Sequence, residues 1–364
     1  MPLARIDAQE FLQARAAGLR AWGIPESELS EGRRGIVHFW GDGPDSWLGF
    51  WRSRAKIAAA HEEWVKACLC LGAAKYPVLG TDDLRGHLAD QSILLSHANE
   101  GGTFERRTTI IASGSQPIDV PYHLYGHHGP ERAFICLCGG LDTYKCELHL
   151  IANLLAKWVS CPVVVLDMPG TGETNTQISL NGEAFFESFF ANVLPSSRRV
   201  CFIGISFGGY WALRLAFAKA VSAAVDIGGP VGIARSADAS ILNLPSEMRF
   251  MINAVLGKND EAVAISNLRS LSSAIESKLD GHPAPILAIN GRDDPYVPRQ
   301  DLQFLRRYPT AEIIEVQNAG HCAAEKIHRL LPAVVHWIAP NLGINSIRTT
   351  IAGVLDKAIR PAWE

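Results

Sequence analysis

Val200-Cys201-Phe202-Ile203-Gly204-Ile205-Ser206-Phe207-Gly208-Gly209-Tyr210 is the stretch whose reading decides the fold. Val200 to Ile205 is a short apolar run of the kind buried in a sheet, and Tyr210 to Ala218 changes to helical spacing. Between them, Gly204-x-Ser206-x-Gly208 fits a strand-to-helix turn so tight that Gly204, Gly208 and Gly209 have room only for hydrogen atoms. Such a turn holds its serine in a strained conformation that presents the hydroxyl, with a helix N-terminus behind it to favour developing negative charge. Gly-x-Ser-x-Gly also arises by chance as an ordinary turn. The strand, the helix and two partners further along the chain argue against that reading.

Outward from this turn, the same alternation of strand and helix repeats. Ala133 to Cys138, Val163 to Asp167, Ala223 to Ile227, Pro285 to Asn290 and Glu312 to Val316 read as strands, most of them followed by a turn and a helical pattern. This predicts a mostly parallel sheet with both faces covered. Arg106 to Ala112 and Ile118 to Tyr125 form a predicted hairpin about Ser113-Gly114-Ser115-Gln116-Pro117. Residues 1–103 read as an appended helical domain, with one helix from Trp47 to Leu71 and another over Leu84 to Ala98. Trp40, Trp47, Trp51 and Trp64 read there as core aromatics rather than a ligand platform. Residues 104–345 form the expected catalytic domain, interrupted over 228–283 by a helical cap insertion with helices at Pro245 to Leu256 and Glu261 to Leu279. Residues 346–364 end the chain in a helix, Ser346 to Ile359.

A serine hydroxyl is a poor nucleophile near neutral pH and needs a base, itself oriented by a carboxylate. Ile286 to Asn290 opens into Gly291-Arg292-Asp293-Asp294-Pro295, and the third residue after the glycine, Asp294, is the expected acid; Asp293 is its rival, with capping as its alternative role. Asn318-Ala319-Gly320-His321-Cys322 follows the last strand, which makes His321 the expected base, while the other eleven of the twelve histidines read as ordinary core or surface residues. Oxyanion stabilisation needs two backbone donors. Phe207 N–H is one candidate, and Leu141, in Gly139-Gly140-Leu141-Asp142, is the other, unless those glycines serve only to make a turn. The sequence singles out no substrate-binding residue.

Composition bounds the partners. With 364 residues, 48% hydrophobic and 20% charged, the chain can bury a large core. Its 34 basic and 37 acidic residues leave a net charge of -3, which recruits neither nucleic acid nor an anionic membrane surface and leaves a small molecule as the expected partner. The eight cysteines lack Cys-x-x-Cys spacing and read as reduced thiols of a cytoplasmic protein. Met1 to Ala17 carries Arg5, Asp7, Glu10 and Arg15 and does not read as a secretory signal, and no run approaches ~18 apolar residues. No His, Cys or carboxylate cluster has metal-ligand spacing. Asp167-Met168-Pro169-Gly170-Thr171-Gly172-Glu173-Thr174 lacks the lysine of a phosphate loop and reads as a structural loop on the active-site face.

Three of these motifs, Gly139-Gly140-Leu141-Asp142-Thr143-Tyr144-Lys145, Asp167 to Thr174 and Gly204 to Tyr210, together resemble the α/β-hydrolase family of the fermentation-respiration switch esterase. That family includes 2,6-dihydroxypseudooxynicotine hydrolase and fungal pigment enzymes that shorten polyketide chains. The stretch with Trp51 and Gly72-Ala73-Ala74-Lys75-Tyr76-Pro77 looks like the N-terminal domain of the same group. The resemblance implies an α/β-hydrolase fold and a cofactor-free enzyme whose pocket lies between the helical segment and the catalytic domain. It further implies hydrolysis of a small, largely apolar carbonyl compound, either an ester or a carbon-carbon bond beside a ketone as in polyketides. The alternatives are a lyase or acyltransferase that eliminates or transfers an acyl group in biosynthesis, and a non-catalytic binding module. The apolar helical domain leaves a homodimer open.

Overall fold

Runs of Val, Ile, Leu, Phe and Cys with no charged residue inside them can be buried on both faces only as inner strands of a covered sheet. In the computed structural model, which describes residues 6–99, 101–113, 116–126, 133–174, 176, 182–194, 199–232 and 243–360, they do so. One eight-stranded sheet runs β1 (Phe104–Ser113), β2 (Gln116–Tyr125), β4 (Val163–Leu166), β3 (Ala133–Cys138), β5 (Arg199–Ile205), β6 (Ala223–Ile227), β7 (Ile286–Gly291) and β8 (Ala311–Val316). β1 pairs antiparallel with β2, and β2 with β4; every later pairing is parallel. The turn residues Gly114 and Ser115 of the expected hairpin lie outside the described residues, as do Met1 to Arg5.

The strand order matters for function. From β3 the chain goes to β4 on one side and later to β5 on the other, so strand order reverses at β3 and a crevice opens beyond the carboxyl ends of β3 and β5. Gly139-Gly140-Leu141 and Ser206 follow those two strand ends directly.

Alternate strand residues feed two core layers. Phe134, Cys136 and Phe202 pack with α7 (Gly182–Val193) and α8 (Phe207–Phe217). Ile135, Leu137 and Ile203 face the opposite way, onto α6 (His149–Val159) and α12 (Ile327–Leu342). A third cluster, around Phe11, Trp47, Trp51 and Tyr76, fills the helical N-terminal region. There α1 (Ala8–Trp22) starts at Asp7, whose carboxylate accepts the N–H groups of Gln9 and Glu10, and stops at Gly23 in the left-handed conformation. α2 (Glu26–Gly35) and α5 (Asp83–His97) complete this layer with a helical hairpin.

That hairpin corrects the expectation of one helix from Trp47 to Leu71. The chain forms α3 (Trp47–Ala60) and α4 (Trp64–Ala74), broken at Glu62, whose φ is 57°. Trp47 Nε1 donates to the carbonyl of Ala73 at 2.7 Å. In one straight helix these residues would stand roughly 39 Å apart, so burying the Trp47 indole with a satisfied N–H requires the chain to fold back.

Residues 233–242 of the expected 228–283 insertion lie outside the described residues; the rest contains α9 (Ser246–Leu256) and α10 (Glu261–Glu276). α10 joins the core beside α8, where Tyr210 Oη donates to the carbonyl of Leu271 at 2.7 Å. α9 instead reaches the helical layer, with the Phe250 ring 5.7 Å from that of Phe39. α11 (Arg299–Phe304) and α13 (Ile347–Ile359), the latter opened by a capping box between Ser346 and Thr349, complete the helices of the described residues. All eight cysteines are buried. No helix among the described residues is long and apolar enough to cross a membrane.

Candidate active site

The turn after β5 places Ser206 with φ 56° and ψ -126°, a strained combination for a residue with a side chain. Its N–H is tied to the carbonyl of Ile227 at 2.8 Å, and α8 begins at the next residue. The glycines have the steric reason the sequence suggested. A Cβ at Gly208 would stand 2.5 and 2.7 Å from the carbonyl oxygens of Gly139 and Cys138; at Gly204 it would collide with the carbonyl of Gly208, and at Gly209 with the carboxyl of Asp226.

Two further strand ends bring up the partners. Beyond β8, His321 places Nε2 2.8 Å from Ser206 Oγ and Nδ1 2.8 Å from Asp294 Oδ2, which stands beyond β7. With the ring proton on Nδ1, as the carboxylate requires, Nε2 keeps a lone pair for the serine hydroxyl. Asp294 is held by three further donors: Asn290 Nδ2 to Oδ2 at 2.8 Å, and the N–H groups of Tyr296 and Val297 to Oδ1 at 2.7 and 3.1 Å. The structure therefore brings Ser206, His321 and Asp294 into one row. Asp293 stays exposed, and its N–H donates to the carbonyl of Ala319. Asn290, given no role in the sequence reading, links the two loops: its Oδ1 accepts the N–H of Cys322 at 3.0 Å while its amide holds Asp294.

Burial of Asp294 works against its charge, but the charge of His321, its ring N–H and the other donors hold the carboxyl below the usual range. For His321, burial works against the imidazolium, whereas Cys322 and then Asp294 favour it, and the balance lies well above the ordinary histidine value. Burial pushes the Cys322 thiol up as well, so it is neutral near pH 7 and the lasting attraction on the ring is that of Asp294. Beneath the Ser206 turn, burial pushes Asp226 up to about 8 while the Gly229 N–H pulls the other way.

The loop after β3 leans directly on the serine. A Cβ at Gly140 would stand 2.8 Å from Ser206 Cβ, 3.0 Å from its Oγ and 3.2 Å from Phe207 N. Leu141 and Phe207 line a cavity of 310 Å³ with Ser206, beside Leu244, Ile252 and Leu268. A second cavity, of 580 Å³, meets the serine from under α1. Tyr296, Met248, Ser206 and His321 are in both walls. The 167–174 loop lines neither; it closes around Asp167, whose carboxylate accepts the N–H groups of Lys145 and Glu173 and pairs with Lys145 Nζ at 2.6 Å. Among the described residues, no three or more His, Cys, Asp or Glu side chains converge where a metal ion could sit.

The larger cavity holds what the sequence reading missed. Arg15 of α1 pairs with Asp142 at 3.0 Å, both nearly buried, and Tyr296 Oη donates to Glu247 at 3.2 Å. Asp142 belongs to the Gly139 to Lys145 motif and Tyr296 lies two residues beyond Asp294, but nothing local points to Arg15.

The model of the alpha/beta hydrolase family matches residues 134–329. A comparison with curated proteins found no match. Among solved structures, AbyA5 matches with a TM-score of 0.82 at 18% identity, over 98% of this chain and 100% of that one. A 2,6-dihydroxy-pseudo-oxynicotine hydrolase matches with a TM-score of 0.71 at 19% identity, over 91% and 97%, in agreement with the resemblance drawn from the motifs. The Pyrobaculum calidifontis esterase matches with a TM-score of 0.51 at 16% identity, over 69% and 92%. At these identities the likeness is one of fold.

Proposed function

The chain belongs to the alpha/beta hydrolase family and has its fold, and on that premise we propose that it is a serine-dependent hydrolase of a small, largely apolar carbonyl compound. The bond cleaved is that of an ester or a carbon-carbon bond beside a ketone. The observation that carries this reading is the row Ser206 Oγ, His321 Nε2, His321 Nδ1 and Asp294 Oδ2, with both hydrogen bonds at 2.8 Å, opening onto solvent-accessible cavities. A binding module has no need for a strained serine held against an oriented imidazole.

Ser206 Oγ bonds to the carbonyl carbon as its proton passes to His321 Nε2, and the carbonyl electron pair moves to oxygen. The N–H groups of Phe207 and Leu141 stabilise that oxygen. On collapse the bond to the leaving atom breaks, and the leaving group takes both electrons and the proton from Nε2. An oxygen leaves as an alcohol; a carbon beside a ketone leaves as an enolate that takes up the proton. Water then repeats the sequence on the acyl-serine, giving one proton to Nε2 and its oxygen to the acid. Asp294 keeps the imidazole in the productive tautomer throughout.

Two measurements test this. A fluorophosphonate should label Ser206, and Ser206→Ala should abolish both labelling and turnover while the circular dichroism stays that of the parent; a variant that still turns over rejects the nucleophile. Turnover in oxygen-18 water should place one heavy oxygen in the acid, whereas elimination would leave that product unlabelled.

A further inference from the structure

Ser206 and His321 lie where two cavities of unlike lining meet. We infer that these cavities divide the substrate at the bond that breaks: its acyl part occupies the 310 Å³ cavity, and its departing part, larger and bearing polar oxygen, occupies the 580 Å³ cavity under α1. This rests on the nucleophile reading above and goes on to name the substrate class.

Three observations fix the direction. The acyl oxygen must meet the N–H groups of Phe207 and Leu141, and both residues line only the smaller cavity. The leaving atom must take its proton from His321 Nε2 and the incoming water must return one there, so both approach along the histidine loop. Its residues Asn318, Gly320, Ala324 and Glu325 line only the larger cavity. The chemistry of the walls then agrees. Among the described residues the smaller is lined chiefly by Pro230, Leu244, Ile252, Leu268 and Val297, with the amide of Asn243, and the carboxylate there, Asp294, is already committed to His321. The larger carries Arg15, Asp142 and Glu247.

Arg15 sharpens the second half. Its Nη1 pairs with Asp142, but Nε and Nη2 are buried with no hydrogen-bond partner among the described residues, set among the rings of Phe11, Tyr76 and Tyr296. Arg15 lines the cavity, and unsatisfied guanidinium donors just behind its surface favour an oxygen-bearing group over an apolar one. In size, at ~30 Å³ per heavy atom, the two cavities take about ten and about twenty heavy atoms respectively. The substrate is thus a medium-length apolar acyl group joined to a bulkier, hydroxylated or oxygenated unit.

The test uses the full chain and three cavity variants. Leu268→Ala enlarges the acyl cavity and Ile252→Phe fills it. Gly18→Phe narrows the larger cavity, which Gly18 lines and where a Cβ would meet no atom within 4 Å. Specificity is read as kcat/KM on 4-nitrophenyl esters from acetate to decanoate, and on acetate esters of phenol and progressively larger naphthols. Leu268→Ala should move the acyl optimum to longer chains and Ile252→Phe to shorter ones, each changing the long-to-short ratio about tenfold with the alcohol preference unchanged. Gly18→Phe should do the converse. The parent should prefer 4-hydroxyphenyl over 4-methylphenyl acetate, and Arg15→Met should erase that preference. Leu268→Ala adds no bulk, so it stays informative should Ile252→Phe fail to fold. Acyl variants that move the alcohol preference, or neither preference, overturn the division, as does a parent that accepts no ester of the series. Fluorophosphonate labelling separates the two levels: labelled Ser206 with unmoved profiles refutes the cavities alone, while unlabelled Ser206 removes the reading beneath them as well.

Discussion

Gly140→Ala probes the close approach of the loop after β3 to Ser206. The added methyl would stand 2.8 Å from Ser206 Cβ and 3.2 Å from Phe207 N. Ordinary carbon-carbon contact begins near ~3.5 Å, so the serine turn and the loop after β3 must separate by somewhat under an ångström. Neither is free to rotate away: Ser206 N–H is bonded to Ile227, and the loop is pinned through Asp142 to Arg15. A misplacement of that order costs about a hundredfold in rate when the reacting atoms must be aligned. We expect Gly140→Ala to lower kcat about a hundredfold, and to slow fluorophosphonate labelling of Ser206 in proportion. The control is Gly86→Ala in α5, where a Cβ meets nothing within 4 Å; it should leave both rates alone and stabilise the helix by about 0.5–1 kcal/mol. Stopped-flow nitrophenolate release with parallel melting curves makes the measurement. A Gly140→Ala protein with parental labelling and turnover would refute the claim that this loop braces the nucleophile.

Asp294→Asn should lower kcat by about 10³–10⁴ and move the ascending limb of the kcat/KM pH profile to lower pH. The sign follows from the carboxylate: it stabilises the imidazolium, so its loss lowers the pKa of His321, and the neutral base persists to more acid conditions. An unmoved limb would mean that Asp294 does not set the ring's protonation. Asp226→Asn tests the buried acid. Its folded-state pKa of about 8 against an ordinary 3.8 means that its contribution to stability is full below about 3.8 and lost as pH rises through about 8. Asparagine cannot ionise, so the variant's melting temperature should fall less between pH 5 and pH 8.5 than the parent's; parallel curves would contradict the assignment. The slope at stake is up to ~1.4 kcal/mol per pH unit.

Legibility followed the range over which each feature is determined. β3 and β6 match the sequence expectation residue for residue, β4, β5 and β8 differ by one residue at one end, and β7 by one residue at each end; for the inner strands β3, β4, β5 and β7 the reason is that a strand buried on both faces is written as a near-continuous apolar run. Ser206, Asp294 and His321 were legible for a related reason: each sits one turn beyond such a run. The α3–α4 break was not, since the apolar spacing continues across Glu62 and only the indole-to-Ala73 bond, 26 residues apart, forces the reversal. Arg15 was invisible in the same way. Between Ala14 and Ala16 it has the look of a solvent-facing charge, and it is buried only because Asp142, 127 residues away, meets it.

These long-range pairs converge on one segment, which ties the helical layer to the loop beside Ser206. The loop from Gly139 to Glu147 presses Gly140 against Ser206, offers Asp142 to Arg15 of α1, and buries Glu147 beside Lys75 at 3.0 Å with neither side chain exposed. Gln91 of α5 donates to the same carboxylate at 2.7 Å, and Gly72 of α4 must lack a side chain because a Cβ there would come within 2.5 Å of Glu147 Oε1. A buried ion pair is at best weakly stabilising, because desolvation offsets its attraction, but losing one partner is severe. Such pairs add more to a fixed geometry than to stability. Here three helices that contribute no atom to the Ser206, His321 and Asp294 row hold the loop that must stay in register with it. The Gly72 to Pro77 stretch is therefore linked to Ser206 through this one loop, although the two lie on separate layers of the fold.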